Sequence, residues 1–192
     1  MCVVAAVDPC VALSTNPRTL AAANEVFLWH GCNHEYVEGM ADGGMESRHC
    51  SLDGMFGAAL YFAENSSKSN QYVHSGSCKL SGAMPRDPHA RQQWDRDCTC
   101  KCADECCMLL CRVTLGDALL EVQHRGNAPG QFWHQRRTEP EKPGGADGEI
   151  YNSVIAESSL RNQRASVLFR EYIVYDGAQI YPEYLVYYKR GA

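Results

Sequence analysis

Five short apolar runs, rich in β-branched and aromatic residues, are spread along the chain. They span residues 26–30, 58–63, 108–115, 171–175 and 183–188. Runs of this length and composition predict β-strands. Most of them lack the strict alternation of apolar and polar positions, so we expect strands that are covered on both faces of a sheet.

Two segments predict helices. The first spans about residues 35–42 and meets Gly43-Gly44, which suits the left-handed turn that often ends a helix. The second begins with Asn65 or Ser66 as its N-cap and runs to about Val73. Strands with a few helices, and no regular alternation between them, predict an α+β fold.

The intervening segments 76–107 and 124–148 are rich in Gly, Pro, Cys and charged residues, and we expect them to be long connections. Long loops inside a compact domain usually serve a function. A length of 192 residues suits one domain. We place this domain at residues 26–192, after an N-terminal extension at residues 1–25.

Composition narrows the class of function. The formal net charge is -5, so the chain lacks the basic excess with which a general nucleic-acid binder displaces counterions. No run approaches the roughly 20 apolar residues of a membrane-spanning helix. Asp8 and Pro9 interrupt the apolar N-terminus, which has no basic leader. We therefore expect no signal peptide, no direct DNA binding and no membrane association.

The chain has 11 cysteines, an odd and high number for its length. Five of them lie within residues 98–107. Without a secretory signal, a disulfide framework is less favoured than a metal site. The clustering predicts a metal site in an intracellular protein, and it does not distinguish nucleus from cytoplasm.

Three polar residues accompany the apolar runs. His30 closes the first run and precedes Gly31, which lets a ligand approach the backbone. Tyr61 lies inside the second run, and Glu171 opens the fourth. A carboxylate that enters a buried strand must find a partner. Taken singly, each residue also has an ordinary structural explanation, so the flanking sequences decide the interpretation.

Those flanking sequences form six collinear motifs. They are LWHG at 28–31, GMFG at 54–57, LYFAENSSKSNQYV at 60–73, CRVTLG at 111–116, EYIVYD at 171–176 and YPEYL at 181–185. Together they resemble the catalytic domain of the poly(ADP-ribose) polymerases, and the segment 61–73 most resembles the tankyrase branch. The resemblance covers about residues 26–190, apart from stretches near 77–107 and 124–150. It implies an ADP-ribosyltransferase fold, with two packed, mostly antiparallel sheets and an NAD⁺ cleft between flanking helices.

The resemblance implies a catalytic triad of His30, Tyr61 and Glu171. Cleavage of the bond between nicotinamide and ribose develops oxocarbenium character, which a nearby carboxylate such as that of Glu171 stabilises. By the same resemblance, His30 holds a ribose hydroxyl of NAD⁺, and the backbone of Gly31 grips the nicotinamide carboxamide.

The resemblance also assigns the helix that follows Tyr61. Ser69 and Tyr72 are three residues apart and therefore share one helix face. Ser69 is expected to donate to the carboxamide oxygen, and Tyr72 to stack on the nicotinamide ring opposite Tyr61. Lys68 is expected at the edge of the site, with a secondary role.

Two residues depart from the family pattern. Cys32 stands where a Ser or Thr usually follows His-Gly, which puts one ribose contact in doubt. Ala59 stands where Gly is usual, and its methyl group is expected to crowd the strand or the ligand. Neither departure removes a member of the triad.

Tankyrases carry a Cys-x2-His-x4-Cys-x2-Cys zinc site in the interval that corresponds to residues 77–107. This chain keeps the order of ligands but not their spacing. The resemblance implies a structural zinc held by Cys78, His89, Cys98 and Cys102. Cys100 or Cys106 can replace Cys102, and reduced thiols without metal are the alternative.

The leading hypothesis is an NAD⁺-consuming transferase that attaches ADP-ribose to protein acceptors and extends poly(ADP-ribose) chains. Retention of Glu171 favours chain extension, because family members limited to single transfers commonly lack this carboxylate. A mono-ADP-ribosyltransferase is the first alternative. A catalytically weak, zinc-stabilised interaction module is the second.

The zinc hypothesis predicts about one zinc ion per chain in freshly prepared, reduced protein. His89→Ala and Cys98→Ser should each lower stability more than Cys2→Ser, which lies outside the cluster. Elemental analysis and thermal unfolding with and without a chelator measure both effects. Protein without zinc refutes the site.

Overall fold

Seven strands form one sheet in the part of the chain that the structure describes. The structure is a computed structural model, and it describes residues 20–50, 54–73, 106–123, 140–145 and 148–188. The strands are β1 Glu25–His30, β2 Leu60–Ala63, β3 Cys106–Thr114, β4 Ala118–Glu121, β5 Ser153–Ala156, β6 Glu171–Val174 and β7 Ile180–Tyr188. Their order in the sheet is β4-β5-β6-β2-β1-β3-β7. The pair β4–β5 is parallel, and the other neighbouring strands are antiparallel.

The sheet has two halves that meet at one residue pair. All of β1 pairs with β3, and all of β2 pairs with β6. Between β1 and β2, however, the pairing is limited to Trp29 and Ala63. The α+β class is confirmed. The expected pair of packed sheets is not, because this single pairing connects the described strands into one sheet.

The five predicted strands are all present, with shifted ends. β3 begins at Cys106 rather than at residue 108, and β7 begins at Ile180 rather than at residue 183. β4 and β5 were not predicted from the sequence. Both are only four residues long, and Glu121 and Ser153 place a polar residue in each.

The first helix, α1, spans His34–Gly43 and confirms the prediction. The Asn33 side chain caps it by accepting a 3.2 Å hydrogen bond from the Glu35 N–H. Gly44 follows with a φ of +83°, a conformation that suits glycine.

The second helix is shorter than predicted. Only Ser66–Ser69 is α-helical (α2), and Asn70–Tyr72 continues it as a turn of 3₁₀ helix. Asn65 occupies the N-cap position, as predicted, although its side chain makes no capping hydrogen bond there.

Apolar side chains cover both faces of the sheet. On one face, Leu28, Phe62 and Val174 pack with Val37 of α1. On the other, Ile173 and Val154 pack with Phe56 from the loop before β2. This two-sided burial explains why the strand runs lack alternation. No helix among the described residues is long and apolar enough to cross a membrane.

The turn before β7 fits closely against the segment after α1. A Cβ added at Gly177 would lie 1.9 Å from the Met45 carbonyl oxygen, whereas a Cβ at Gly39, on the exposed side of α1, would meet nothing within 4 Å.

We therefore expect Gly177→Ala to lower the free energy of unfolding by about 1–3 kcal/mol, since the backbone must shift to relieve the clash. The control Gly39→Ala should raise it by about 0.5–1 kcal/mol, because alanine favours helix. Urea unfolding of both variants measures the effect. Equal stability of the two variants would contradict this packing.

Candidate active site

The pairing of β2 with β6 brings Tyr61 and Glu171 onto one face of the sheet. Ala63 lies opposite Glu171, and Tyr61 lies opposite Ile173. Residues that face each other across two strands share a side of the sheet, and side chains alternate along each strand. Tyr61 and Glu171 are therefore diagonal neighbours, as two members of the expected triad should be.

The Glu171 carboxylate is buried and forms an ion pair with Lys68. Its Oε1 lies 2.8 Å from Lys68 Nζ. Lys68 Nζ also donates a 3.1 Å hydrogen bond to the Tyr72 hydroxyl and lies 5.1 Å from the centre of the Tyr72 ring. Lys68 was predicted from the sequence to lie at the edge of the site, but the structure places it in direct contact with Glu171.

The charge on Lys68 depends on these neighbours. Burial alone would lower the pKa of Lys68, but the charge of Glu171 and the contacts with Glu171 and Tyr72 outweigh it and raise the pKa. The ammonium group therefore stays charged at neutral pH and keeps a positive partner beside the carboxylate.

His30 is attached to β2 through the backbone. Its Nδ1 lies 2.9 Å from the Tyr61 carbonyl oxygen. Because a carbonyl only accepts, Nδ1 must carry the proton, which leaves Nε2 as an acceptor in the neutral ring. Burial lowers the pKa of His30 and favours this neutral form. The His30 ring is thus prepared to accept a hydrogen bond from a hydroxyl group.

The His30 ring does not contact the Tyr61 hydroxyl. It lies beside Phe62, with 5.4 Å between ring centres. The Tyr61 hydroxyl instead accepts a 2.8 Å hydrogen bond from the Phe56 N–H and donates a 3.0 Å hydrogen bond to the Gly57 carbonyl. Its pKa is raised, chiefly by burial, so the hydroxyl keeps its proton. Tyr61 therefore holds the loop at residues 54–57 in place.

Tyr175 holds the same loop through a second hydrogen bond. Its hydroxyl donates a 3.0 Å hydrogen bond to the Phe56 carbonyl. Both polar groups of the Phe56 residue are thus bound by tyrosine hydroxyls. This contact was not predicted from the sequence, because nothing in the local pattern links two residues that lie 119 positions apart.

Ser69 and Gly31 come together where α2 packs against the end of β1. The Ser69 hydroxyl donates a 2.9 Å hydrogen bond to the Trp29 carbonyl. A Cβ at Gly31 would lie 1.8 Å from the Ser69 carbonyl oxygen. Gly31 is therefore required for this close approach, whatever its role toward a ligand.

The two departures from the family pattern fit into the core. Cys32 packs against the apolar cluster that contains Leu28, and burial raises the pKa of its thiol to about 12. The thiol stays protonated and is at most a weak hydrogen-bond donor. Ala59 is buried in the cluster with Phe56 and Ile173, so its methyl group is part of the packing.

The described residues also form an open cavity of about 550 Å³ between the end of α1 and the turn before β7. Glu46, Arg48, Ala58 and Asp176 contribute to its lining. Ala58 belongs to the segment that leads into β2, three residues before Tyr61 in the chain.

The predicted zinc ligands Cys78, His89, Cys98 and Cys102, and the alternative Cys100, lie outside the described residues. The other alternative, Cys106, is buried in β3 and packs with Val73 and Met108. Within the described ranges, no group of three or more His, Cys, Asp or Glu residues is arranged to hold a metal ion. The zinc site stays a prediction.

Comparison with known proteins identifies the family of the chain. A family model described as the poly(ADP-ribose) polymerase catalytic domain matches residues 11–190. The chain belongs to this family. Human and mouse proteins named protein mono-ADP-ribosyltransferase PARP11 are each 24% identical to it over 175 residues.

The alignments with the two PARP11 proteins cover 88% of this chain but only 43% of the human protein and 44% of the mouse protein. The chain thus spans less than half the length of these curated relatives. Its resemblance to the tankyrase branch of the poly(ADP-ribose) polymerases stays a prediction.

The tyrosine contacts predict the effect of Tyr61→Phe. Loss of the hydroxyl takes one partner from the Phe56 N–H and one from the Gly57 carbonyl, which should lower the free energy of unfolding by about 1–3 kcal/mol. Tyr36 is 60% exposed, so the control Tyr36→Phe should stay within about 0.5 kcal/mol of the parent. Urea unfolding compares them, and equal stability of the two variants would show that Tyr61 does not hold the loop.

Proposed function

We propose that this chain transfers ADP-ribose from NAD⁺ to protein acceptors and releases nicotinamide. The observation that carries the proposal is the buried Glu171 carboxylate, paired with Lys68 on the face that it shares with Tyr61. The family membership supports the same reaction. The catalytic roles of His30, Tyr61 and Glu171 are part of this proposal.

In the proposed complex, NAD⁺ lies with its nicotinamide end between Gly31, Ser69 and Tyr72. The neutral His30 accepts a hydrogen bond from a ribose hydroxyl at Nε2, because Nδ1 is already bound to Tyr61. Tyr61 and Tyr72 provide aromatic surfaces for the flat ring. Cys32 adds only weak hydrogen bonding to the ribose, since its thiol is protonated.

Ser69 requires a change from the expected contact. Its one O–H is donated to the Trp29 carbonyl, so donation to the carboxamide oxygen of nicotinamide would exchange that bond. Its oxygen lone pairs can accept from the carboxamide NH₂ without any exchange.

The proposed chemistry breaks the bond between the ribose C1′ and the nicotinamide nitrogen. Positive charge develops on the ribose, and the Glu171 carboxylate stabilises it at short range. An oxygen of the acceptor then forms the new bond to C1′, and its proton is lost to solvent. A ribose or acceptor hydroxyl that binds the Glu171 carboxylate must share it with Lys68 Nζ.

Two outcomes of transfer remain within the proposal. The relatives are named as mono-ADP-ribosyltransferases, which favours a single transfer. The carboxylate of Glu171 favours chain extension, because it can also bind the hydroxyl of a growing chain. Product length on a gel distinguishes the two, and the interaction module without activity predicts neither product.

The partners proposed with this function are protein acceptors, without direct DNA binding or membrane association. A structural zinc held by Cys78, His89, Cys98 and Cys102 and an intracellular location belong to the same proposal. So does the tankyrase-like character of the 61–73 segment.

Glu171→Gln tests the proposal most directly. The amide keeps the size of the side chain but removes its charge, so transfer from labelled NAD⁺ should fall by about 10²–10³-fold. Nicotinamide binding should persist, because Gly31, Ser69 and Tyr72 form its contacts.

The matched control is Glu38→Gln, on the exposed side of α1, which should transfer at the parent rate. A Glu171→Gln protein with parent activity would remove Glu171 from the mechanism. A variant that neither binds nicotinamide nor unfolds cooperatively would assign Glu171 a structural role.

A further inference from the structure

Glu171 lies at the end of a strand, where backbone pairing opens most easily. It is the first residue of β6 (Glu171–Val174), and Arg170 before it lies outside the strand. The ends of strands open more readily than their centres. A carboxylate that must be positioned within a fraction of an ångström therefore needs support from beyond the ladder.

The strand register supplies acidic residues on both sides of Arg170. Glu171 pairs with Ala63 of β2 and with Ala156 of β5. Both pairings are antiparallel, so the residues that follow these alanines, Glu64 and Glu157, come level with Arg170. Three charged residues are thus level with one another, one position before Glu171.

Arg170 is bound at two points by Glu157. Its Nε donates to Glu157 Oε1 at 3.2 Å, and its Nη2 donates to Glu157 Oε2. The side chains of Arg170 and Glu157 are only 19% and 9% exposed, and Oε1 also accepts a 2.8 Å hydrogen bond from the Ser158 N–H. A two-point contact between arginine and a carboxylate fixes orientation as well as distance.

The residue after Glu171 is held in a similar way. The Tyr172 hydroxyl donates a 3.0 Å hydrogen bond to Glu64 Oε2. Arg170 and Tyr172 are two positions apart and share one face of the strand, whereas Glu171 points to the opposite face, where Lys68 lies. The contacts of Arg170 and Tyr172 therefore reach Glu171 only through the backbone.

We propose that Arg170 and Glu157 form a clamp that fixes the position of the Glu171 carboxylate, so that they are positioning residues for the transfer reaction. This inference rests on the proposed function. Neither side chain touches the reacting atoms. Their role is to keep the start of β6 closed while Glu171 faces the substrate.

Arg170→Lys tests the clamp, because lysine keeps the charge but cannot form the two-point contact. We expect kcat for transfer to fall by about 10- to 100-fold, with little change in the KM for NAD⁺. The matched control is Arg112→Lys, which weakens a comparable partly buried ion pair with Glu183 between β3 and β7. Its kcat should stay within about threefold of the parent, since this pair is remote from Glu171.

A double-variant cycle separates positioning from general stability. If Arg170 acts through the Glu171 carboxylate, Arg170→Lys should cause no further loss of the residual rate in a Glu171→Gln background. A full additional loss in that background would overturn the proposal. So would an Arg170→Lys enzyme with parent kcat.

Amide hydrogen exchange gives a readout that does not require activity. Arg170→Lys should speed exchange in β6 about tenfold and leave β3 unchanged. A parent protein that does not consume NAD⁺ would refute the proposed function, while faster exchange in β6 would still support the clamp. Unchanged exchange in β6 would overturn the clamp, whatever the activity.

Discussion

The single pairing of Trp29 with Ala63 is the constraint on which the site depends. Where β1 and β2 stop pairing, backbone carbonyls beyond that point need other partners, since buried polar groups are rarely left unbound. Two side chains of the expected NAD⁺ site supply them. His30 donates to the Tyr61 carbonyl, and Ser69 donates to the Trp29 carbonyl. The interruption of the ladder thus sets the tautomer of His30 and the position of α2 together.

The charges around β6 are arranged differently on its two faces. On one face, the Glu171 carboxylate is paired with Lys68, which also contacts Tyr72. On the opposite face, Arg170 is bound by Glu157, whose pKa is lowered mainly by this hydrogen bond. The stability that this bond gives is complete above the ordinary pKa of a glutamate, and it is lost as the pH falls through the lowered value. The clamp is therefore intact at neutral pH, where Lys68 is also charged.

The sequence predicted those parts that depend on local patterns. The apolar runs located five strands, Gly43-Gly44 located the end of α1, and the collinear motifs indicated the family that the match over residues 11–190 confirms. It did not predict the contact between Lys68 and Glu171, because these residues lie more than 100 positions apart in the chain. It also did not predict the clamp of Arg170, whose partner Glu157 lies 13 positions before it. Such contacts follow from strand register, and the register of a sheet is not visible in a single strand. β4 and β5 were missed because each contains only three consecutive apolar residues, fewer than the runs that located the other five strands.

Several residues with an expected role toward NAD⁺ already form hydrogen bonds or ion pairs within the protein. Whether such a bond must break before NAD⁺ can bind differs from residue to residue. The Nε2 atom of His30 accepts independently of the Nδ1 bond, and stacking of a ligand on Tyr61 and Tyr72 would leave the bonds of their hydroxyls intact. These groups can meet a ligand without rearrangement, which limits the ordering cost of binding. Ser69 and Lys68 are different. Ser69 can donate to a ligand only by giving up its bond to the Trp29 carbonyl, and the Lys68 ammonium is already shared by Glu171 and Tyr72. In the proposed complex, the polar contacts to the nicotinamide end therefore depend on α2, which carries both residues.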